Sequence, residues 1–194
     1  MKKIIISKEF FARLFVIAKQ NKCNLRAFSI MLMEYDNLEF NDSFINFLAI
    51  TEVFRKITGI YVTNDKSRGV YDDAYWCGLS YYYLVKKSEK PLSYILLKLP
   101  FDQMMDLYDI YHEMDVSSLY ERFLQIEKEE SILPLLCKQY QTSLVEVSKK
   151  TNISINTLKK YAKEDRYIHN ASFQYIYKLS NFFSIPISLF AKEY

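Results

Sequence analysis

The sequence predicts an all-α protein made of two helical domains, residues 1–128 and 130–194. Three observations carry this. Gly and Pro are scarce, 3 and 4 residues in a chain of 194, whereas strand-and-turn architectures draw on both for their turns. Apolar residues recur at three- and four-residue spacing along most of the chain, the period of an amphipathic helix. Ser, Asp or Pro stands where several of these runs begin, and Gly or Lys where they end, as helix termini prefer. Half the residues are hydrophobic and a quarter are charged, the balance of a globular chain with a core.

In chain order, residues 7–20 place Phe10, Phe11, Leu14, Ile17 and Ala18 on one face, with Ser7 as N-cap. Residues 25–34 form a short helix through Leu25, Phe28, Met31 and Leu32. Asp42 is positioned to cap a third helix that runs through Phe44, Leu48, Val53, Phe54 and Ile57 to Thr58, with Gly59 as its stop. Residues 60–71, with the polar run Asn64 to Gly69, read as the main loop, and a short β-hairpin from Ile60–Thr63 to Gly69–Tyr71 is allowed there. An aromatic helix follows over 72–87, capped by Asp72 or Asp73 and closed by Lys86 and Lys87 at the negative end of its dipole. Pro91 and Pro100 each open a further helix, the second turning Met104, Leu107, Tyr108 and Tyr111 inward. A last run, from Val116 to Glu129, has Leu119, Phe123 and Ile126 on one face, and its end, Glu127–Glu130, reads as the linker.

No apolar run approaches the ~20 residues that span a membrane, and the apolar stretch after Lys2 and Lys3 is too short for a signal segment. The chain therefore reads as cytoplasmic, with no membrane partner. Cys23, Cys77 and Cys137 are odd in number and far apart, which argues against a disulfide framework and, without a Cys-x-x-Cys pair, against zinc. They read as small buried hydrophobes.

The functional signal lies in the last third. In the stretch 143–161, Leu144, Val147 and Thr151 recur at helical spacing, Asn152 interrupts the run, and Ser154 opens a second helix whose inner side is Leu158 and Tyr161. A helix, a tight turn and a second amphipathic helix make the unit that lays one helix into a major groove. Charge is distributed to match. Residues 137–194 hold nine basic and four acidic side chains, a net of +5, against −2 for the rest of a chain whose total is +3. An excess of that size also occurs on ordinary solvated surfaces.

These residues resemble the lambda-repressor-like (Cro/XRE-type) helix-turn-helix family. Val147-Ser-Lys-Lys-Thr-Asn-Ile-Ser154 matches its first helix and turn, Ile155–Lys163 its recognition helix, and Ile176–Leu189 its closing pattern. The likeness covers about the last 60 residues and none of the first 130. Three positions depart from the family pattern. Asn152 replaces the usual turn Gly, Ser148 the usual small Ala, and Leu144 the Gln that often holds a phosphate, leaving Thr142 or Ser143 to substitute for it. The resemblance implies a five-helix DNA-binding domain. Ser154, Ile155, Asn156 and Thr157 would meet base edges with Lys160 one turn on, and Lys159, Lys163 and Arg166 would meet phosphates. Asn156 suits adenine and Ile155 a thymine methyl.

In the first domain, Tyr75, Trp76, Tyr81, Tyr82 and Tyr83 crowd one helix. A helix aromatic all round is either central to a core or partly exposed for a partner. Ala74-Tyr-Trp-Cys-Gly78 and Tyr111-His-Glu-Met-Asp115 look similar to proteins of bacterial toxin–antitoxin and phage-defence operons, in which a helical domain binds a toxin and a helix-turn-helix binds the operator. That likeness implies partner contacts through Tyr75, Trp76 and Tyr82.

Nothing in the sequence points to an enzyme, a cofactor or a metal. His112, Glu113 and Asp115 read as an exposed helix end, and no Gly-rich phosphate loop is present. Taken together, the expectation is a sequence-specific transcriptional regulator, the antitoxin and autorepressor of a toxin–antitoxin operon, acting as a homodimer on double-stranded DNA. The alternative is a protein-interaction module, an antitoxin or phage-defence component, whose helix-turn-helix has lost DNA binding. Leu144 and Ile155, apolar at normally polar places, favour the alternative.

Overall fold

A computed structural model describes residues 3–35, 37–44 and 48–190. Among these the chain is all-α, with twelve α-helices, one short 3-10 helix and a single two-stranded sheet. It divides into two compact units, Met1–Arg122 and Phe123–Tyr194.

Unit 1 begins with β1 (Ile4–Ile6), which pairs in parallel with β2 (Leu38–Phe40) in the register Ile4–Leu38, Ile5–Glu39 and Ile6–Phe40. Between them run α1 (Lys8–Gln20) and α2 (Leu25–Glu34). The Ser7 hydroxyl accepts from the Phe10 N–H and Asn24 Oδ1 from the Ala27 N–H, so both helices start on side-chain caps. α3 (Ile50–Thr58) ends on Gly59, whose φ of 71° is left-handed. α4 (Asp73–Ser88) starts on Asp72, whose carboxylate accepts from the Tyr75 N–H. α5 (Leu92–Lys98), α6 (Phe101–Tyr111) and α7 (Val116–Glu129) follow.

Phe15 is the hub of the unit's core. It is fully buried and meets Phe28, Phe101 and Tyr81 at ring-centroid distances of 5.3, 4.9 and 5.3 Å. The first two contacts are edge-to-face, the arrangement favoured by the ring quadrupole. Tyr81 keeps its hydroxyl satisfied inside this core by donating to the Leu99 carbonyl at 2.7 Å. α1 and α4 lie close because Gly78 faces the backbone of Ala12.

Three expectations are corrected. Asp42 does not cap a helix. α3 starts eight residues later, at Ile50, and the Asp42 carboxylate instead accepts from the Tyr82 hydroxyl at 2.5 Å. Ile45, Asn46 and Phe47, which the longer helix would have included, lie outside the described residues. The loop at 60–71 forms no hairpin. It is tied down through Asp65, which pairs with Arg13 of α1 and accepts from the Ser67 N–H and hydroxyl. The acidic segment Glu127–Glu129 is not an irregular linker, because α7 continues through it; the division between units falls inside α7, after Arg122.

Unit 2 holds five short helices after the end of α7: α8 (Ile132–Gln139), α9 (Leu144–Thr151), α10 (Ile155–Lys163), α11 (Asp165–His169) and α12 (Phe173–Phe183), then a 3-10 turn at Ile187–Leu189. Ser143, Ser154 and Ser172 cap α9, α10 and α12 through their hydroxyls. Asp165 reaches back across the unit to accept from the Ile132 N–H at 2.6 Å, supplying at α8 the cap that Ser131 does not make. Leu136, Val147, Ile153, Leu158, Ile168, Leu179, Phe183 and Leu189 form the buried core.

Candidate nucleic-acid interface

The segment linking α9 to α10 is set by three small polar residues. Asn152 takes up φ 54° and ψ 37°, the left-handed conformation that Asn tolerates better than most residues. The Ser148 hydroxyl donates to the Ile153 carbonyl at 2.6 Å, filling the place of a small residue while tying the turn to α9. Ser154 then caps α10 by accepting from the Thr157 N–H at 3.1 Å. Ile153, between them, is buried. The turn is therefore Asn152–Ser154, held at both ends by hydrogen bonds.

α10 is amphipathic. Leu158 and Tyr161 are buried and Ile155 is half-buried on the same side, while Asn156, Lys159, Lys160 and Lys163 are exposed. The last four fall at i, i+3, i+4 and i+7, so they share one face. α10 contains no acidic residue.

The eight residues singled out for DNA are not equivalent. The side chains of Asn156, Lys159 and Lys163 have no hydrogen-bond or ion partner among the described residues. Lys160 rests its ammonium over the Tyr167 ring, 4.8 Å from the centroid. Arg166 is held locally, 2.6 Å from Glu164 and 3.0 Å from the Tyr167 hydroxyl, and its proton is held more tightly than usual by that hydroxyl and by Glu164. Ser154 and Thr157 bond each other, their hydroxyl oxygens 2.8 Å apart. Ile155 shows only part of its side chain. The accessible polar face thus reduces to Asn156, Lys159, Lys160 and Lys163.

The amino end of α9 is a poor phosphate site. Ser143 is used as the cap, Thr142 donates to a Glu146 carboxylate oxygen at 2.9 Å, and Glu146 itself occupies the first turn. A carboxylate there satisfies the helix dipole that would otherwise attract an anion. Leu144 offers no polar side chain at this end, Thr142 already donates its proton to Glu146, and only the Ser143 hydroxyl, which accepts from the Glu146 N–H, keeps a proton to donate.

No family model, curated protein or solved structure matches this chain.

The aromatic residues of α4 separate into three environments. Tyr81 belongs to the core. Tyr75 is half-buried and packs edge-on against the exposed ring of Tyr71 at 5.0 Å. Trp76 and Tyr82 line one cavity of about 420 Å3, together with Leu79, Tyr83, Tyr111 and Met114. Burial, and then the hydrogen bond to Asp42, push the Tyr82 hydroxyl up to about 12. Of the three residues singled out for a partner, the structure joins two and leaves Tyr75 apart. Sequence reasoning missed the contribution of Met114, which sits in the turn after α6 and carries no periodic signal, and of Val116, which opens α7 in period with Leu119 and Phe123 but is 47% exposed.

Among the described residues no group of three His, Cys, Asp or Glu side chains could hold a metal ion. His112 stacks on Tyr108 at 4.4 Å and holds the Tyr108 carbonyl through Nδ1, and His169 holds the Phe190 carbonyl in the same way. Cys77 and Cys137 are buried, whereas Cys23 is half-exposed, departing from the expectation that all three are core residues. No described helix is long and apolar enough to cross a membrane.

Proposed function

We propose that this chain is a sequence-specific DNA-binding transcriptional regulator that lays α10 of unit 2 into the major groove. The supporting observation is the exposed face of Asn156, Lys159, Lys160 and Lys163 on a helix that follows a short, hydrogen-bonded turn and carries no acid. Asn156, near the amino end of α10, is the base-reading residue, since an Asn amide matches adenine N6 and N7. Lys159 and Lys163 contact phosphates, which supply affinity and orientation without sequence information. Lys160 joins them by leaving the Tyr167 ring, an exposed cation–π contact of only ~0.5–1 kcal/mol.

One helix of nine residues reads few base pairs, so the protein acts as a homodimer on a two-fold operator. The five-helix arrangement of unit 2 agrees with the lambda-repressor-like resemblance of its sequence. In this reading the chain is the antitoxin and autorepressor of a toxin–antitoxin operon, and unit 1 binds the protein partner through half-buried Trp76, whereas Tyr82 is buried and gives its hydroxyl to Asp42.

The test separates the two units. Asn156→Ala with Lys163→Ala removes operator binding and leaves partner neutralisation intact. Loss of both activities in a folded double variant would refute the division of labour. One observation favours a second reading, in which the helix-turn-helix is an interaction module that no longer binds DNA: Glu146 places negative charge at the end of α9 where a phosphate would lie. Binding indifferent to DNA sequence would select it.

A further inference from the structure

We propose that the cavity of unit 1 binds a small amphipathic anion: a compact aromatic or aliphatic body bearing one carboxylate or sulfonate. The proposal goes beyond the DNA-binding reading and is independent of it; it uses the Trp76 surface that the partner reading also uses, so anion and protein partner would compete for it.

Size and lining define the body of the ligand. The cavity lies between α4 and the turn that joins α6 to α7, with Lys8 of α1 at its edge, and its volume of about 420 Å3 falls in the range of small-molecule sites. Trp76, Leu79, Tyr83, Val116 and Leu119 give it apolar walls. Met114 and Val116 are 50% and 47% exposed, so two apolar side chains stand in water at this site. An apolar ligand covers them, which is the favourable term in binding.

Charge defines the head group. The formally charged side chains in the lining are Lys8 and Lys86, and both are exposed at the ends of helices. Lys8 is the first residue of α1, where a cation adds to the positive end of the helix dipole rather than offsetting it. Of the carboxylates around the rim, Asp42 accepts from the Tyr82 hydroxyl and Asp115 accepts from the Ser117 N–H and hydroxyl, while Glu9 and Glu113 are exposed to water, which screens them, and are not part of the lining. A cluster of aromatic rings would otherwise suit an organic cation. Here that role is filled from within, since the Lys86 ammonium lies 5.7 Å from the Tyr82 ring centroid. A ligand cation would meet two lysines, whereas a ligand anion is attracted by both.

Trp76 is the single tryptophan of the chain and lines the cavity, so its emission reports occupancy without a label. The full-length protein is titrated with anilinonaphthalene sulfonate and with decanoate, and with decanol and decyltrimethylammonium as head-group controls, all below their micellar concentrations. The expected result is a saturable one-site change in Trp76 emission with both anions, and binding about tenfold weaker or more for the neutral and cationic chains, the scale of two partly screened ion contacts. The double variant Lys8→Glu with Lys86→Glu, at two exposed positions, loses the preference for decanoate and keeps its melting temperature. No saturable change with either anion would overturn the proposal, as would equal affinity for all three decyl chains on the unaltered protein. Because no DNA is present, its failure would leave the operator-binding reading standing.

Discussion

Gly78 is where the packing of unit 1 is least forgiving, and Gly78→Ala measures it. A Cβ built on Gly78 would stand 2.4 Å from the Ala12 Cα, 2.9 Å from Phe15 Cδ2 and 3.1 Å from the Ala12 carbonyl oxygen. Carbon atoms prefer about 3.5–4.0 Å, so α1 and α4 must separate by more than ~1 Å. The atom in the way is backbone and cannot rotate aside. Overpacking of this kind costs ~1–3 kcal/mol, and a backbone clash belongs at the upper end. Against it stands the better helix propensity of Ala, ~1 kcal/mol in a helix interior. The net is a loss of about 2 kcal/mol, which for a unit of this size lowers the melting temperature by roughly 6–10 °C. The assay is urea and thermal denaturation followed by Trp76 emission, which reports unit 1. Gly59→Ala serves as contrast: nothing lies within 4 Å of its Cβ, so its cost comes only from φ 71°, ~1–2 kcal/mol of left-handed strain. An unchanged or higher melting temperature for Gly78→Ala would refute the close approach of α1 and α4.

Three further outcomes follow from specific contacts. Asp165→Ala removes the acceptor for the Ile132 N–H at the start of α8 and lowers the stability of unit 2 by ~1 kcal/mol, the usual worth of a helix cap; urea denaturation followed by far-ultraviolet dichroism checks it. Burial tends to raise the Asp65 carboxyl, but hydrogen bonds from Ser67 and the charges of Arg13 and Arg68 outweigh it and hold the group below its ordinary 3.8. A depressed folded-state value stabilises the fold above pH 3.8 and loses that contribution as pH falls through it, so the acid limb of the stability curve is shallower for Arg13→Ala than for the unaltered chain. Burial raises all three thiols, Cys137 to about 11 and Cys77 further still. Labelling near neutral pH therefore takes half-exposed Cys23 first, then Cys137, and reaches Cys77 only on unfolding; rapid labelling of Cys77 in the folded protein would contradict its place in the core.

The helices were legible in the sequence because each carries its own signal. Ser7, Asp72, Ser154 and Gly59 mark termini that the structure places at the same residues. Asn152 was legible as a left-handed turn residue for the same local reason. What stayed hidden is non-local. β1 and β2 are three residues each, too short for any period, and exist only because residues 4–6 and 38–40 meet across two helices. Asp42 has the chemistry of a cap, and nothing nearby in the chain shows that its partner is Tyr82, forty residues on. The candidate DNA face was legible as a set, since positions 156, 159, 160 and 163 follow from helical period alone. The holding of Arg166 was not: Glu164 and Tyr167 are its chain neighbours, but helical period carries no sign that both side chains close on it.

The central claim is that α10 reads DNA, and a titration of the purified protein against its own upstream DNA tests it most directly, at two salt concentrations and with scrambled competitor. Specific binding is predicted, weakening steeply with salt. Lys163→Ala reduces the slope of log K against log salt by about 1 per protomer, and Asn156→Ala costs ~1–3 kcal/mol at the cognate site with little change in that slope. Absence of binding, or binding equally strong to scrambled DNA and unchanged by Asn156→Ala, would contradict the assignment and leave the helix-turn-helix as a surface for another protein.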